Sequence, residues 1–115
     1  MTETLDRSHA VLLARGEEIG ELRYTGGDMF WHTGVFTPLP AFAKHHPIFA
    51  RLEAAWAASY DHLSPDEADA AEDARYALQA EVDALLTIRN HDGTLSGVED
   101  FKLMGGQFEH KLRSA

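Results

Sequence analysis

Residues 28–42 read Asp28-Met29-Phe30-Trp31-His32-Thr33-Gly34-Val35-Phe36-Thr37-Pro38-Leu39-Pro40-Ala41-Phe42. Aromatic and apolar side chains crowd this stretch without clean helical or strand periodicity. Gly34, Pro38 and Pro40 forbid a long helix and argue against a central strand. A segment this apolar must still leave water. The expectation is an irregular connection pinned into the core, with Phe30, Trp31, Phe36 and Phe42 as anchors. Everything on either side must be arranged around it.

Before it, residues 1–7 are polar and expected to be disordered. Residues 9–14 read as a first strand and residues 19–24 as a second, joined by the polar turn at Arg15-Gly16-Glu17-Glu18. Leu22 and Tyr24 share one face of the second strand, and Gly26-Gly27 ends it. After the aromatic stretch, Pro40 suits the first turn of a short helix to about His45. Pro47 predicts a break near His46 and opens the main helix. Phe49, Leu52, Trp56, Tyr60 and Leu63 form its buried stripe. Ser64-Pro65-Asp66-Glu67 is a helix start: a capping serine, a first-position proline and a capping-box glutamate. The second helix runs to the low eighties and buries Ala71, Ala74, Leu78 and Val82. Only a short link at His62 and Leu63 separates the helices, which predicts an antiparallel pair.

Three strands follow, at residues 85–89, 98–104 and 107–113. The first two are joined by the Asp92-Gly93 turn and the last two by Gly105-Gly106. A two-residue loop at Gly105-Gly106 sets Met104 opposite Gln107, Leu103 opposite Phe108 and Lys102 opposite Glu109. It also sets Phe101 opposite His110 and Asp100 opposite Lys111. Both charged pairs are then opposite in sign, and Phe101, Leu103 and Phe108 share the other face.

The 115 residues, 44% hydrophobic and 25% charged, suit one folded domain, 1–115. Absence of cysteine excludes disulfide scaffolds and thiol catalysis and fits a reducing compartment. With no signal-peptide core in view, a soluble cytoplasmic protein is expected. The net charge is −9, and between Asp61 and Asp83 eight acidic residues face Arg75 alone. Such a face repels phosphate backbones, so nucleic acid and membrane partners are not expected. It suits solubility, or docking of a basic protein through Asp69, Glu72 and Asp73. An exposed Trp31 and Phe36 would offer a second contact surface, to a protein partner or a second copy in a homodimer.

No phosphate-binding loop, nucleophile elbow or His-Glu-x-x-His motif occurs. Seven histidines are present. If the aromatic stretch folds back on the helix start, Asp28, His32 and one of His45 or His46 would converge, a ligand set for zinc, nickel or iron. Adjacent helical histidines point about 100° apart, which limits His45 and His46 to one ligand.

The box Trp31-x-x-Gly34-x-Phe36-x-Pro38-x-x-x-Phe42, with helices and C-terminal strands after it, resembles a set of small bacterial proteins of unknown function. The resemblance implies a similar fold and carries over no functional residue. The expected fold is α+β. An N-terminal hairpin and the C-terminal strands form one antiparallel sheet, covered by a central antiparallel helix pair in the order ββααβββ. The expected function is a non-enzymatic protein-interaction or regulatory module without a cofactor. The alternative is a small protein binding a ligand or a divalent metal such as zinc or nickel, or a hydrolase, with its site near Asp28, His32 and His45.

Overall fold

The computed structural model describes residues 9–28, 30–59 and 64–112. It corrects the open-sheet expectation. Six antiparallel strands close into a barrel in the order β1-β2-β3-β6-β5-β4, and the chain order is βββααβββ. The elements are β1 His9–Ala14, β2 Glu17–Asp28, β3 Trp31–Pro38, α1 Phe42–Ser59, α2 Pro65–Leu85, β4 Leu86–Arg89, β5 Leu95–Met104 and β6 Gln107–Leu112.

The correction turns on residues 31–38. They form a central strand, pairing β2 on one side and β6 on the other. Pro38 is tolerated because it is the last residue of the strand, where its missing N–H costs least. Gly34 is required by packing. A Cβ there would run into the backbone carbonyl of Arg23 and lie 2.8 Å from the Phe108 ring. Gly34 faces Tyr24 across one ladder and Phe108 across the other. Over that gap the Tyr24 and Phe108 rings meet edge to face at 5.1 Å. Gly26 and Gly27 do not end β2, which continues to pair with Thr33 and His32. Phe36 is buried as expected, whereas Phe30 is 70% exposed and anchors nothing.

Pairing of β1 with β4, Val11 with Arg89 through Ala14 with Leu86, completes the closure and removes the sheet edges. The core holds Leu12, Ile19, Leu22, Ile88, Val98 and Phe101 from the strands, with Phe49 and Leu52 of α1 and Val82 of α2. The helices pack against β5, and α1 also meets β2. No break occurs at His46: Pro47 lies inside a single α1. Standing near the N-terminus, it forfeits one bond, to the Ala43 carbonyl. The start of α2 is as expected, with Ser64 Oγ accepting the Glu67 N–H at 3.3 Å. Val82 is buried as expected, Ala71 and Leu78 are half-buried and Ala74 is exposed, while Gln79 and Asp83 are buried beside Val82. Tyr60, His62 and Leu63 lie outside the described residues, as do residues 1–7. No helix of the described residues is long and apolar enough to cross a membrane.

The last hairpin keeps the expected register from Met104–Gln107 to Lys102–Glu109 and then departs from it. A bulge lets Asp100 and Phe101 together oppose His110, and Glu99 faces Lys111. Asp100 sits at φ +55°, a left-handed conformation that is costly for a non-glycine residue. The carboxylate of Asp83 supplies the compensation. It accepts the Asp100 N–H at 2.8 Å and the Phe101 N–H at 3.0 Å. Gln79 Nε2 donates to Asp83 at 3.0 Å and to the Phe101 carbonyl at 2.9 Å, and Trp56 Nε1 donates to Gln79 at 2.9 Å. A hydrogen-bonded chain thus ties both helices to the bulge.

Candidate functional site at the barrel mouth

The register separates two ends of the barrel. The turns at residues 15–16 and 105–106 and both helix junctions lie at one end. The loop at 90–94 and the β2–β3 connection lie at the other. There the barrel opens into a hollow of about 390 Å³. Tyr24 and Gly26 of β2 and His32 of β3 line its inner wall, and Asn90, His91, Asp92 and Thr94 form its rim.

The rim loop is self-supporting. Asp92 Oδ1 accepts the Thr94 N–H at 3.0 Å and the Thr94 hydroxyl at 2.6 Å. Asn90 Nδ2 donates to Thr94 Oγ1 and Ser96 Oγ at 3.0 and 2.9 Å. The Thr94 hydrogen bonds hold the Asp92 pKa below its ordinary value. Gly93, at φ +87°, makes the turn that a side chain would strain.

Beneath the mouth lies His110, fully buried. Strand alternation turns it inward with Phe108. Its Nε2 shares a 2.8 Å hydrogen bond with the Tyr24 hydroxyl. Its ring stacks with His32 at 5.5 Å, and Nδ1 is buried without a hydrogen-bond partner. Burial pushes the His110 pKa down to about 4, against a pull from the Lys111 backbone and with a further push from His32. Burial likewise raises Tyr24 to about 12. Both groups are therefore neutral at neutral pH.

Of the described side chains singled out in the sequence, only His32 lines the mouth. The Asp28 backbone pairs with Trp31 nearby, and its side chain lies outside the described residues. His45 lies 3.5 Å from Glu17, at the far end of β2, and shares that carboxylate with Lys44 at 2.9 Å. Ten residues of strand separate Glu17 from Gly27, the partner of His32, roughly 33 Å. His46 sets its ring edge to face against Phe42. Among the described residues, no three His, Asp or Glu side chains gather as a metal would need.

Trp31 is half-buried beneath Lys102 and Lys111, whose Nζ atoms lie 5.0 and 4.7 Å from its ring centre. Asp69, Glu72 and Asp73 are exposed on α2, with Glu72 3.7 Å from Arg75. Tyr24, His91 and His110 were not identified as site residues. Tyr24 and His110 stand 86 positions apart, and the pairing of β3 with both β2 and β6 brings them together. The available signal was alternation, which puts Tyr24 with Leu22 and His110 with Phe108 on inward faces.

Comparison with family models, curated proteins and solved structures finds no match. The Trp-Gly-Phe-Pro resemblance therefore carries no role into the mouth.

Proposed function

We propose that this chain is a small cytoplasmic binding protein that takes a small-molecule ligand at the barrel mouth. One observation carries the reading: Tyr24, which lines an open hollow at the barrel mouth, is hydrogen-bonded to the fully buried His110 beneath it. A buried imidazole with one unpartnered nitrogen destabilises the fold relative to an apolar side chain of similar size. Perturbed titratable groups beside a cleft are candidates for a functional site. The hollow falls within the usual size range of ligand pockets. The reading is of binding alone; the Thr94 hydroxyl donates to Asp92 and accepts from Asn90, contacts that brace the rim loop.

The protein-interaction reading rests on a different place. A hollow of about 300 Å³ between α1 and the β5–β6 turn is lined by Phe36, Phe42, Phe49 and Leu103. A groove beside a helix that offers several phenylalanine rings suits a partner's side chains. Crystals soaked in a set of small organic fragments separate the two. Fragments gathering against Tyr24 and His32 support the ligand reading. Fragments confined to the Phe36–Phe49 hollow contradict it and favour the interaction module.

A further inference from the structure

Resting on that reading, we infer that the mouth selects a small organic cation: a flat or compact body carrying an ammonium or amidinium group. Among the described residues, Asp92 on the rim is the one carboxylate that lines the hollow, and neither lysine nor arginine lines it. Its Oδ1 is engaged by Thr94, so the rim loop fixes the carboxylate in place. The Thr94 bonds favour the ionised form, so the charge persists at neutral pH.

The other polar groups match a donor-rich ligand. Tyr24 Oη has two lone pairs and spends at most one on His110, so one remains in either tautomer. The imidazoles of His32 and His91 accept a hydrogen bond when neutral. The net charge of −9 draws cations to the chain and repels anions before contact.

Three flat molecules of one shape test charge alone: benzamidine, benzamide and benzoate. Each is titrated into isotope-labelled wild type, and binding is read from the amide shifts of Gly26, His32 and Thr94. Benzamidine is expected to bind at the mouth about tenfold or more tighter than benzamide, with benzoate weakest, and added salt should narrow the gap. Asp92→Asn keeps an oxygen for the Thr94 bonds and removes the charge. In that variant benzamidine should fall to the benzamide level. Benzoate or benzamide binding the mouth more tightly than benzamidine would overturn the cation assignment and leave the binding reading standing. A benzamidine preference unchanged by Asp92→Asn would also overturn it. No mouth shifts with any of the three would overturn both.

Discussion

Asp83 Oδ1 accepts the backbone N–H of Phe101 at 3.0 Å, joining the last turns of α2 to a bulged strand 18 residues further on. The same carboxylate takes the neighbouring Asp100 N–H. A bulge removes these two amides from the ladder, and the helix returns an acceptor to both. The bulge sets two residues against His110, so this contact bears on how the floor of the mouth is built.

Asp83→Ala strands both amides in a buried place and leaves Gln79 short of a partner. The expected loss is about 3 kcal/mol, roughly 1–3 for each stranded amide. Urea unfolding at constant pH measures it. Asp83→Asn keeps one oxygen and should lose less. Burial raises the Asp83 pKa despite the N–H bonds from Phe101, Asp100 and Gln79. An acid with a raised folded pKa binds its proton more tightly when folded. Its contribution to stability is therefore present below the unfolded pKa and is lost as pH rises through the folded one.

His110 acts with the opposite sign. Its folded pKa, about 4, lies below the ordinary histidine value of 6.5. The unfolded chain then binds more protons between those values, and stability falls as pH drops through that window. The shift corresponds to about 3 kcal/mol, full above pH 6.5 and gone below pH 4. Unfolding free energies measured stepwise from pH 7 to pH 4.5 should show the decline, and His110→Leu should flatten it.

Gly34→Ala places a methyl group against the Arg23 carbonyl, which cannot move without breaking the β2–β3 ladder. We expect a loss of at least about 1–3 kcal/mol, as overpacked cores show. Gly16→Ala meets no neighbour within 4 Å, but its φ of +81° carries strain of about 1 kcal/mol. Thermal unfolding of the pair should rank Gly34→Ala well below Gly16→Ala.

A run of cations and rings ties the sheet to the helices. Lys102 Nζ sits 3.7 Å from the Trp56 ring centre and 5.0 Å from that of Trp31, and Arg75 lies 4.0 Å above Trp56. Lys102→Met should keep the stem packing, lose about 1 kcal/mol and change the tryptophan emission. Unchanged emission would mean that Lys102 does not occupy the slot between the rings.

Much of this was readable locally. Ser64-Pro65-Asp66-Glu67 starts α2 because capping chemistry is contained in four residues. Gly105-Gly106 sets the β5–β6 register as far as Lys102–Glu109 because turn geometry fixes its neighbours. Barrel closure was not readable. It depends on β1 meeting β4 and β3 meeting β6, pairings between distant residues that no local pattern records. Gly34 and Pro38 argued against a strand because the reasons for each are tertiary: a ring on the neighbouring strand, and a place at the strand end. The mouth was hidden for the same cause. His32 drew notice as a histidine, but its neighbours Tyr24 and His110 looked like ordinary strand residues.

The central claim is that the barrel keeps a polar pair under its mouth for binding, at the expense of stability. The direct test is the unfolding free energy of His110→Leu at pH 7, leucine being close to histidine in volume. We predict a value equal to or above that of wild type, because the change removes a buried imidazole whose Nδ1 has no hydrogen-bond partner. A loss greater than about 2 kcal/mol, the scale of a damaged core, would show that the pair holds the barrel together and would contradict the claim.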